Sequence, residues 1–417
     1  MSNTTRKVLS AVAALAASTL VIGVSLPASA ASDDKVLKID GILPQTGSLA
    51  FLYPPMQAGA YLALDDINAA GGVLGNPVVL NMKDSGGGEN LAVSSQSATA
   101  AIADNADVVL GAAASGVTRN IINQITGAKI VEISPSNTAP DLSTWADGGY
   151  YFRTAPSDNL QGKVIANQIL QDGAQNVAVL YVNNSYGTGL QAVAVKTLKA
   201  AGAKVSKYAF AEGETSFGSL ADKAAAKNPD AVLIISYDET KKALPALKKA
   251  GIKNGHTYFV DGNTVDYSKE SFAKYLQGDK GTIPGGKLTA AFKSRLAAAY
   301  AKINNGAVLK DYTYAAESYD AVVLVAIAAQ AAGTATGEAI KSQLTAISLA
   351  GKGKTTVTSF SAALKAIAAG KKVNYDGFSG PIEFDKNGDP TGANIGVYKY
   401  TSKGLNKLYK VVAGSAK

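Results

Sequence analysis

Polar residues that could bind a small molecule follow the apolar runs of this 417-residue sequence. They supply hydroxyls, phenols, amides and a few carboxylates, in segments 46–48, 84–85, 115–116, 134–138, 183–187, 236–238 and 261–263. None of these segments contains histidine, cysteine, lysine or arginine. Such a set can hydrogen-bond a small polar group and pack an apolar one, but it has no obvious proton shuttle near pH 7. The residue types therefore favour binding over catalysis.

The composition excludes most soft-metal and nucleophilic chemistry. Cysteine is absent and histidine occurs once, at His256. Thiolate catalysis, disulfides, iron–sulfur clusters and a His/Cys zinc site are therefore excluded, and we expect neither a metal nor a cofactor. A secreted hydrolase remains a distant alternative. It would have to use His256 as its base, and no nucleophile-elbow pattern supplies the serine.

The charge balance argues against a nucleic-acid partner. The formal charge is +8, from 40 basic and 32 acidic residues, but the chain has only the arginines Arg6, Arg119, Arg153 and Arg295. A Lys-rich, Arg-poor chain indicates solubility rather than recognition of phosphates or base edges. Hydrophobic residues make up 47% of the chain, which is typical of a folded protein, and the length suggests two or three domains.

The N-terminus, residues 1–30, has the pattern of a secretory signal peptide. Arg6 and Lys7 precede an uncharged apolar run over 8–26, and the small residues 28–30 offer a cleavage site. An uncleaved membrane anchor is the alternative for this run. We expect an exported protein that does not span the membrane once mature. A lipid anchor on cysteine is excluded because the chain has no cysteine. A second apolar run, 321–332, is too short to cross a bilayer and predicts a buried helix.

From Lys35 onward, short apolar runs alternate with amphipathic stretches, which is typical of parallel sheets with crossover helices. The pattern predicts one series of strands at 36–43, 77–82, 107–110 and 129–133, and a second at 176–181, 203–209, 231–235 and 257–260. Helices are predicted at 56–70, 160–170 and 240–250. The tail predicts strands without long helices, at 381–384, 396–400 and 408–412. Two doubly wound α/β lobes with a shared tail follow from this order. In such sheets, ligands bind beyond the carboxyl ends of the strands.

Seven segments in chain order resemble the leucine/isoleucine/valine-binding proteins of ABC uptake systems, which have the type I periplasmic binding protein fold. The segments are LPQTG (43–47), ALDDINAAGGVLG (63–75), ISPS (133–136), YFRTAPSD (151–158), NSYG (184–187), SYDAV (318–322) and GFSGPIEF (377–384). Each is a weak signal alone, but together they span essentially the whole mature chain. They indicate the family more strongly than they indicate the ligand.

The resemblance implies two discontinuous lobes joined by a three-segment hinge. Lobe 1 would comprise 31–155 plus 282–375, and lobe 2 would comprise 156–281 plus 376–417. The hinge crossings would lie near 153–157, 278–284 and 372–378. The implied function is capture of a small amino acid, most of all a branched-chain one, by lobe closure. Delivery to the permease subunits of an ABC transporter would follow, with the binding protein acting as a monomer.

The resemblance also implies roles for individual residues. Ser115, the Ser136 backbone and Thr138 would hold the ligand carboxylate from lobe 1, and Asp261 would accept from the ligand ammonium. Tyr186 and Tyr237 would close over the ligand from lobe 2. Apolar and aromatic surface near the ligand side chain would come from Leu52 and Tyr53. With no basic residue in these segments to pair an acidic side chain, we expect leucine, isoleucine or valine to be preferred over glutamate and lysine.

Several readings stay open at this level. Ser115 and Thr138 could cap helices, the two tyrosines could be packing residues, and Asp261 could bond its own turn. The sequence also departs from the family in having Gly116 where a second serine is common and aspartate at 261 in place of glutamate. The same fold could instead bind a short amide, a urea-like compound or an aromatic acid. Asp84 and the glycines 86–88 are interpreted as turn residues outside the site.

Overall fold

The structure, a computed structural model, describes residues 35–380 and 382–415. The predicted signal peptide lies outside the described residues. The first sheet is entirely parallel, with the order β2-β1-β3-β4-β5. Its elements are β1 (Lys38–Leu43), α1 (Tyr53–Ala69), β2 (Val79–Asp84), α2 (Leu91–Ala103), β3 (Val108–Gly111), α3 (Ser115–Gly127), β4 (Val131–Ser134) and β5 (Tyr151–Arg153). All four residues of β3 are buried, as expected for a central strand that is covered by helices on both faces.

The second sheet has seven strands in the order β14-β13-β10-β9-β8-β6-β7. Five of its strands are parallel: β6 (Asn176–Val182), β7 (Lys204–Phe210), β8 (Ala231–Ile235), β9 (Thr257–Phe259) and β10 (Lys280–Pro284). The helices that precede and connect them are α4 (Asp158–Gln171), α5 (Ser185–Ala200), α6 (Gly218–Ala225) and α7 (Thr240–Lys249). The antiparallel part is formed by β13 (Gly392–Tyr400) and β14 (Asn406–Ser415). Along β14 half-buried and exposed residues alternate, the pattern of an edge strand with one face on the protein.

Between β10 and β13 the chain returns to the first sheet. This stretch contains α8 (Ala290–Ile303), α9 (Ala315–Ala332), α10 (Gly337–Ser348), β11 (Lys354–Val357), α11 (Phe360–Ala368) and β12 (Lys372–Tyr375). Helix α9 is long and apolar enough to pass a length-and-composition test for a membrane span, but 83% of it is buried inside the protein. It packs against α1 and α10, so the buried helix that the apolar run predicted is present and begins earlier.

A buried ion pair joins the end of β5 to the segment before β13. Arg153, which ends β5 and is fully buried, pairs with Asp389; Nε–Oδ1 is 2.6 Å and Nη2–Oδ2 is 2.8 Å. The Arg153 Nη1 donates to the Ala139 carbonyl at 2.9 Å. Because breaking a buried pair leaves an uncompensated charge, this contact holds the two segments together.

The observed sheets refine the predicted elements. Strand β10 pairs with β9 and β13 in the second sheet, whereas the second segment of the predicted lobe 1, 282–375, begins inside this strand. The predicted strand at 381–384 is wrong, because Phe384 forms only an isolated bridge with Pro390 and instead packs its ring against Phe152. We propose crossings at 154–157, 285–289 and 390–391.

Candidate functional site

The carboxyl ends of the strands from both sheets face one cleft between the lobes. Its walls are formed by Leu49, Leu52, Ala113, Ala114, Ser115, Ser136, Thr138, Tyr186, Tyr237, Asp261, Gly262 and Tyr314. Seven of the eight predicted site residues are among them. The enclosed volume is about 20 Å³, room for one water molecule. An amino acid does not fit between the walls in this arrangement.

The first-lobe wall consists of hydroxyls and backbone at the start of α3 and after β4. Ser115 is the first residue of α3 and does not cap it, since the N-cap is Ala114 and no side chain caps that position. The Ser115 Oγ accepts from the Ala139 amide at 3.3 Å, which leaves its own proton free to donate. Helix α3 also directs its positive N-terminal end to this wall, where a carboxylate is favoured.

The loop after β4 is held by its own polar side chains. The Asn137 amide donates to the carbonyls of Ala112 and Ala113 at 3.0 and 2.8 Å. The Ser136 hydroxyl donates to the Ala113 carbonyl at 3.2 Å, and the Ser136 amide donates to the Ser134 hydroxyl at 3.3 Å. The Ser136 amide, which the resemblance assigned to the ligand carboxylate, is therefore already engaged, although by a long bond.

The second-lobe wall carries two stacked tyrosines. The rings of Tyr186, on α5, and Tyr237, after β8, lie 5.3 Å apart at 15°. Asn184 caps α5 by accepting from the Gly187 amide at 3.0 Å, and its side-chain nitrogen donates to the Tyr237 hydroxyl at 3.3 Å. A Cβ on Gly262 would come within 2.6 Å of the Ser236 carbonyl oxygen. Only glycine therefore lets the chain pass this close to the tyrosines.

Asp261 follows β9 and lies at the centre of a polar cluster. One oxygen accepts from the Tyr186 hydroxyl and from Gln161 Nε2, both at 2.7 Å, and the other accepts from the Tyr314 hydroxyl at 2.6 Å. Burial raises the pKa of the Asp261 carboxyl, and these hydrogen bonds oppose that rise. Tyr314 comes from the chain that has returned to the first sheet, so its bond to Asp261 joins the two lobes.

A second acid, Asp158, lies behind Asp261. Gln161 Nε2 donates to Asp158 at 2.9 Å as well as to Asp261, so one amide bridges the two carboxyls. The other Asp158 oxygen is buried and has no hydrogen-bond partner among the described residues. Burial, and then the charge of Asp261, raise the pKa of the Asp158 carboxyl. The sequence placed Asp158 only in the YFRTAPSD motif, and that motif was the signal that could have revealed it.

The lining of the cleft differs from the predicted site at two positions, Tyr53 and Tyr314. Tyr53 begins α1 and lies outside the cleft; its hydroxyl accepts from Gln57 one helical turn later at 3.1 Å, and burial raises its pKa to about 12. Tyr314 lines the cleft but was not predicted. It adopts a left-handed backbone conformation with φ of 60° directly before α9.

Away from the hinge, a carboxylate of the second lobe reaches the first. Glu212, after β7, accepts from the Ser48 hydroxyl at 3.1 Å and from the Gly88 amide at 2.9 Å, and it also accepts from Asn184 at 2.7 Å. Asp84 orders the facing loop by accepting from the Thr46 amide and hydroxyl at 3.1 and 2.5 Å. The loop at 86–88, interpreted as a simple turn, therefore contributes to closure.

The periplasmic binding protein family matches residues 36–404, which is most of the chain. The chain belongs to the periplasmic binding protein family. The resemblance inferred from the sequence motifs is confirmed, and so is the two-lobe α/β fold. Membership implies a place outside the cytoplasm. Among the described residues, no group of acidic or histidine side chains is arranged to hold a metal ion.

Two curated relatives illustrate the range of this periplasmic binding protein family. The chain is 28% identical to the chemotactic signal transduction system substrate-binding protein BasB of Halobacterium salinarum over 359 residues, 83% of this chain and 82% of that protein. It is 31% identical to the Leu/Ile/Val-binding protein BraC3 of Rhizobium johnstonii over 198 residues, 47% of this chain and 53% of that protein. Both relatives are binding proteins by name.

Two solved structures share the fold. The branched-chain amino acid transporter substrate-binding protein LivJ of Streptococcus pneumoniae, in complex with isoleucine, superposes with a TM-score of 0.71 at 24% identity over 91% of this chain and all of that one. A solute-binding protein of an ABC transporter from R. palustris, in complex with benzoate, gives a TM-score of 0.70 at 18% identity over 91% of this chain and 97% of that one. At these identities the likeness concerns the fold.

Proposed function

We propose that this protein is the extracytoplasmic binding component of an ABC transporter and captures a branched-chain amino acid by lobe closure. The observation that carries the proposal is the polarity of the cleft. A buried carboxylate, Asp261, faces it from the second lobe, while the N-terminal end of α3 and the Ser115 hydroxyl face it from the first. A zwitterion would place its ammonium on the acid and its carboxylate on the helix end.

The side chain of the ligand would meet an apolar surface. Leu49, Leu52 and Ala113 line the cleft on the first lobe, and the rings of Tyr186 and Tyr237 line it on the second. Each buried methylene adds about 0.8 kcal/mol. Leucine, isoleucine and valine would therefore bind about ten to a hundred times more tightly than alanine, because 1.4 kcal/mol is a factor of ten. BraC3 by its name, and LivJ by its bound isoleucine, are consistent with this ligand class.

Isothermal titration calorimetry tests the proposal with leucine, isoleucine, valine, alanine, glutamate and lysine as ligands. We expect the first three to bind most tightly and the two charged amino acids to bind more weakly than alanine. Asp261→Asn should weaken leucine binding strongly. Asp238 is an exposed acid after β8, and Asp238→Asn should leave leucine binding unchanged. Preference for glutamate or lysine over leucine would contradict the specificity. Leucine uptake that depends on this protein in the source cell would test delivery to a permease.

A second candidate ligand is an aromatic acid, since the stacked pair Tyr186 and Tyr237 offers an aromatic face and a solved relative binds benzoate. Benzoate has no ammonium, so it would place an anion near Asp261 without compensation. Benzoate, and the short amides and urea considered from the sequence, belong in the same calorimetric series. Binding of benzoate with no binding of any α-amino acid would favour the second candidate.

A further inference from the structure

A second cavity, of about 400 Å³, lies at the crossing that follows β10, and we call it the hinge cavity. Its volume is within the usual range for small-molecule sites. Residues of both lobes line it, from the segments 283–288 and 310–314, together with Lys293, Glu317, Ser379, Tyr398, Asn406 and Leu408. Tyr314 lines both the hinge cavity and the amino-acid cleft. The two sites are separate but share this wall.

The rim of the hinge cavity is positively charged. Lys287, Lys293 and Lys310 line it and are exposed, and none of the three forms an ion pair within the described part of the chain. One acid, Asp311, also lines the rim, and it accepts from the Thr313 amide at 2.6 Å. Three cations against one anion leave a local excess of positive charge for an anionic ligand.

A buried carboxyl lines the cavity. Glu317 is only 4% exposed, and its side chain hydrogen-bonds to its own backbone. A Cβ added to Gly285 would lie 2.9 Å from Glu317 Oε1, which places the carboxyl against the crossing segment. Glu317 belongs to the first turn of the 18-residue helix α9. The cavity therefore holds one buried acid behind its basic rim.

We propose that the hinge cavity binds a small dicarboxylate. The lysines of the rim would pair with its carboxylates, and the Glu317 carboxyl would donate a hydrogen bond to one of them. Burial, and then the neighbouring Asp320, raise the pKa of Glu317 to about 8, so the group carries a proton at pH 7 and can donate. A bound anion would contact the first lobe through Lys293 and the second through Tyr398. It would therefore stabilise the closed arrangement.

The main test is calorimetry with succinate as the probe and the mature protein otherwise intact. The triple variant Lys287→Gln/Lys293→Gln/Lys310→Gln should bind succinate at least tenfold more weakly. The matched triple variant Lys242→Gln/Lys249→Gln/Lys253→Gln removes the same charge from exposed positions on and after α7, and it should stay within threefold of wild type. Equal weakening in both variants, no heat from succinate at millimolar concentration, or tighter binding of inorganic phosphate than of succinate would overturn the proposal.

Titration of Glu317 supplies a second readout. Above about pH 8 the group becomes an anion in the cavity, so succinate affinity should fall as pH rises through 8 while the lysines remain charged. The other titratable groups near it, besides the three lysines, are Asp320 on α9, Asp311, Tyr314 and Tyr398. Glu317→Gln keeps a hydrogen-bond donor and cannot ionise. The variant should therefore bind succinate within threefold of wild type at pH 7, and its succinate affinity should not fall as pH rises through 8. An unchanged pH profile in Glu317→Gln would remove Glu317 from the site.

The effect on amino-acid capture rests on the proposed function, whereas succinate binding does not. Because Tyr314 lines both sites, saturating succinate should tighten leucine binding two- to fivefold. Saturating leucine should tighten succinate binding by the same factor. Succinate binding without any leucine binding would contradict the proposed function and leave the hinge site standing. Leucine binding without succinate binding would contradict the hinge site and leave the proposed function standing.

Discussion

The two walls of the cleft differ in charge and in what holds them. The first-lobe wall is neutral, and its polar side chains bond mainly to backbone, as Asn137 and Ser136 do. The second-lobe wall carries the acid Asp261, which is held by side chains of other elements. If the lobes separate as we propose, the wall fixed by its own backbone would keep its shape. The wall fixed partly by Tyr314 would lose a hydrogen bond. Closure would then complete mainly the second-lobe wall.

The largest expected effect comes from removing the charge of the second-lobe wall. Asp261→Ala should weaken leucine binding by about 2–5 kcal/mol, because it leaves a buried ammonium unpaired. The measurement is calorimetry at pH 7.5, with thermal unfolding as the check that the variant folds. Asp261→Asn keeps the hydrogen-bond geometry and separates the loss of charge from the loss of contacts. An affinity within twofold of wild type in Asp261→Ala would remove the asymmetry between the walls as an explanation of binding.

A smaller effect is expected from the first-lobe wall. Ser115→Ala removes one donor to the ligand carboxylate and should cost about 1.5–3 kcal/mol, the range for a hydrogen bond to a charged group. The helix end and backbone remain, so binding should be weakened but measurable. Ser342→Ala, at an exposed position on α10, is the matched control. If Ser115→Ala lost more affinity than Asp261→Ala, the first-lobe wall would be the dominant one.

The fold and part of the cleft could be predicted from the sequence, whereas contacts between segments that are distant in sequence could not. The strands and the fold follow from continuous apolar runs such as 231–235, which coincide with β8. Ser115 and Asp261 were predictable because they follow strands. Tyr314 was not, since its place in the cleft depends on a crossing between lobes that are distant in sequence. Gln161 and Asp158 lie on α4, and only the packed structure shows that one amide bridges two acids.

The acid pair of the second-lobe wall predicts a pH dependence that the neutral wall cannot have. Burial raises the pKa of Asp158 and of Asp261, and a ligand ammonium would lower both values again. The liganded pair therefore holds fewer protons, and affinity should fall as pH falls. We expect leucine to bind about fivefold more weakly at pH 5.5 than at pH 8, within the limit of about tenfold per pH unit for one proton.

Asp158→Asn separates this effect from other titrations, since leucine stays zwitterionic over that range. The variant should flatten the affinity profile between pH 5.5 and 8. An unchanged slope in Asp158→Asn would show that the acid pair does not take up a proton in the free protein.

The smallest expected effect concerns the contact that joins the two lobes away from the hinge. Glu212 bonds to Ser48 and to the Gly88 amide across the two lobes, and burial raises its pKa. Separation of the lobes would break both bonds. Glu212→Gln replaces a charged acceptor by a neutral one and should weaken leucine binding by about 0.5–1.5 kcal/mol. Because Glu212 does not itself line the cleft, the loss should mainly reflect closure. In solution X-ray scattering, the leucine-saturated variant should match the wild-type radius of gyration, whereas the free variant should be larger than free wild type. A loss of affinity with no change in the free scattering curve would mean that Glu212 acts on the ligand wall and not on closure.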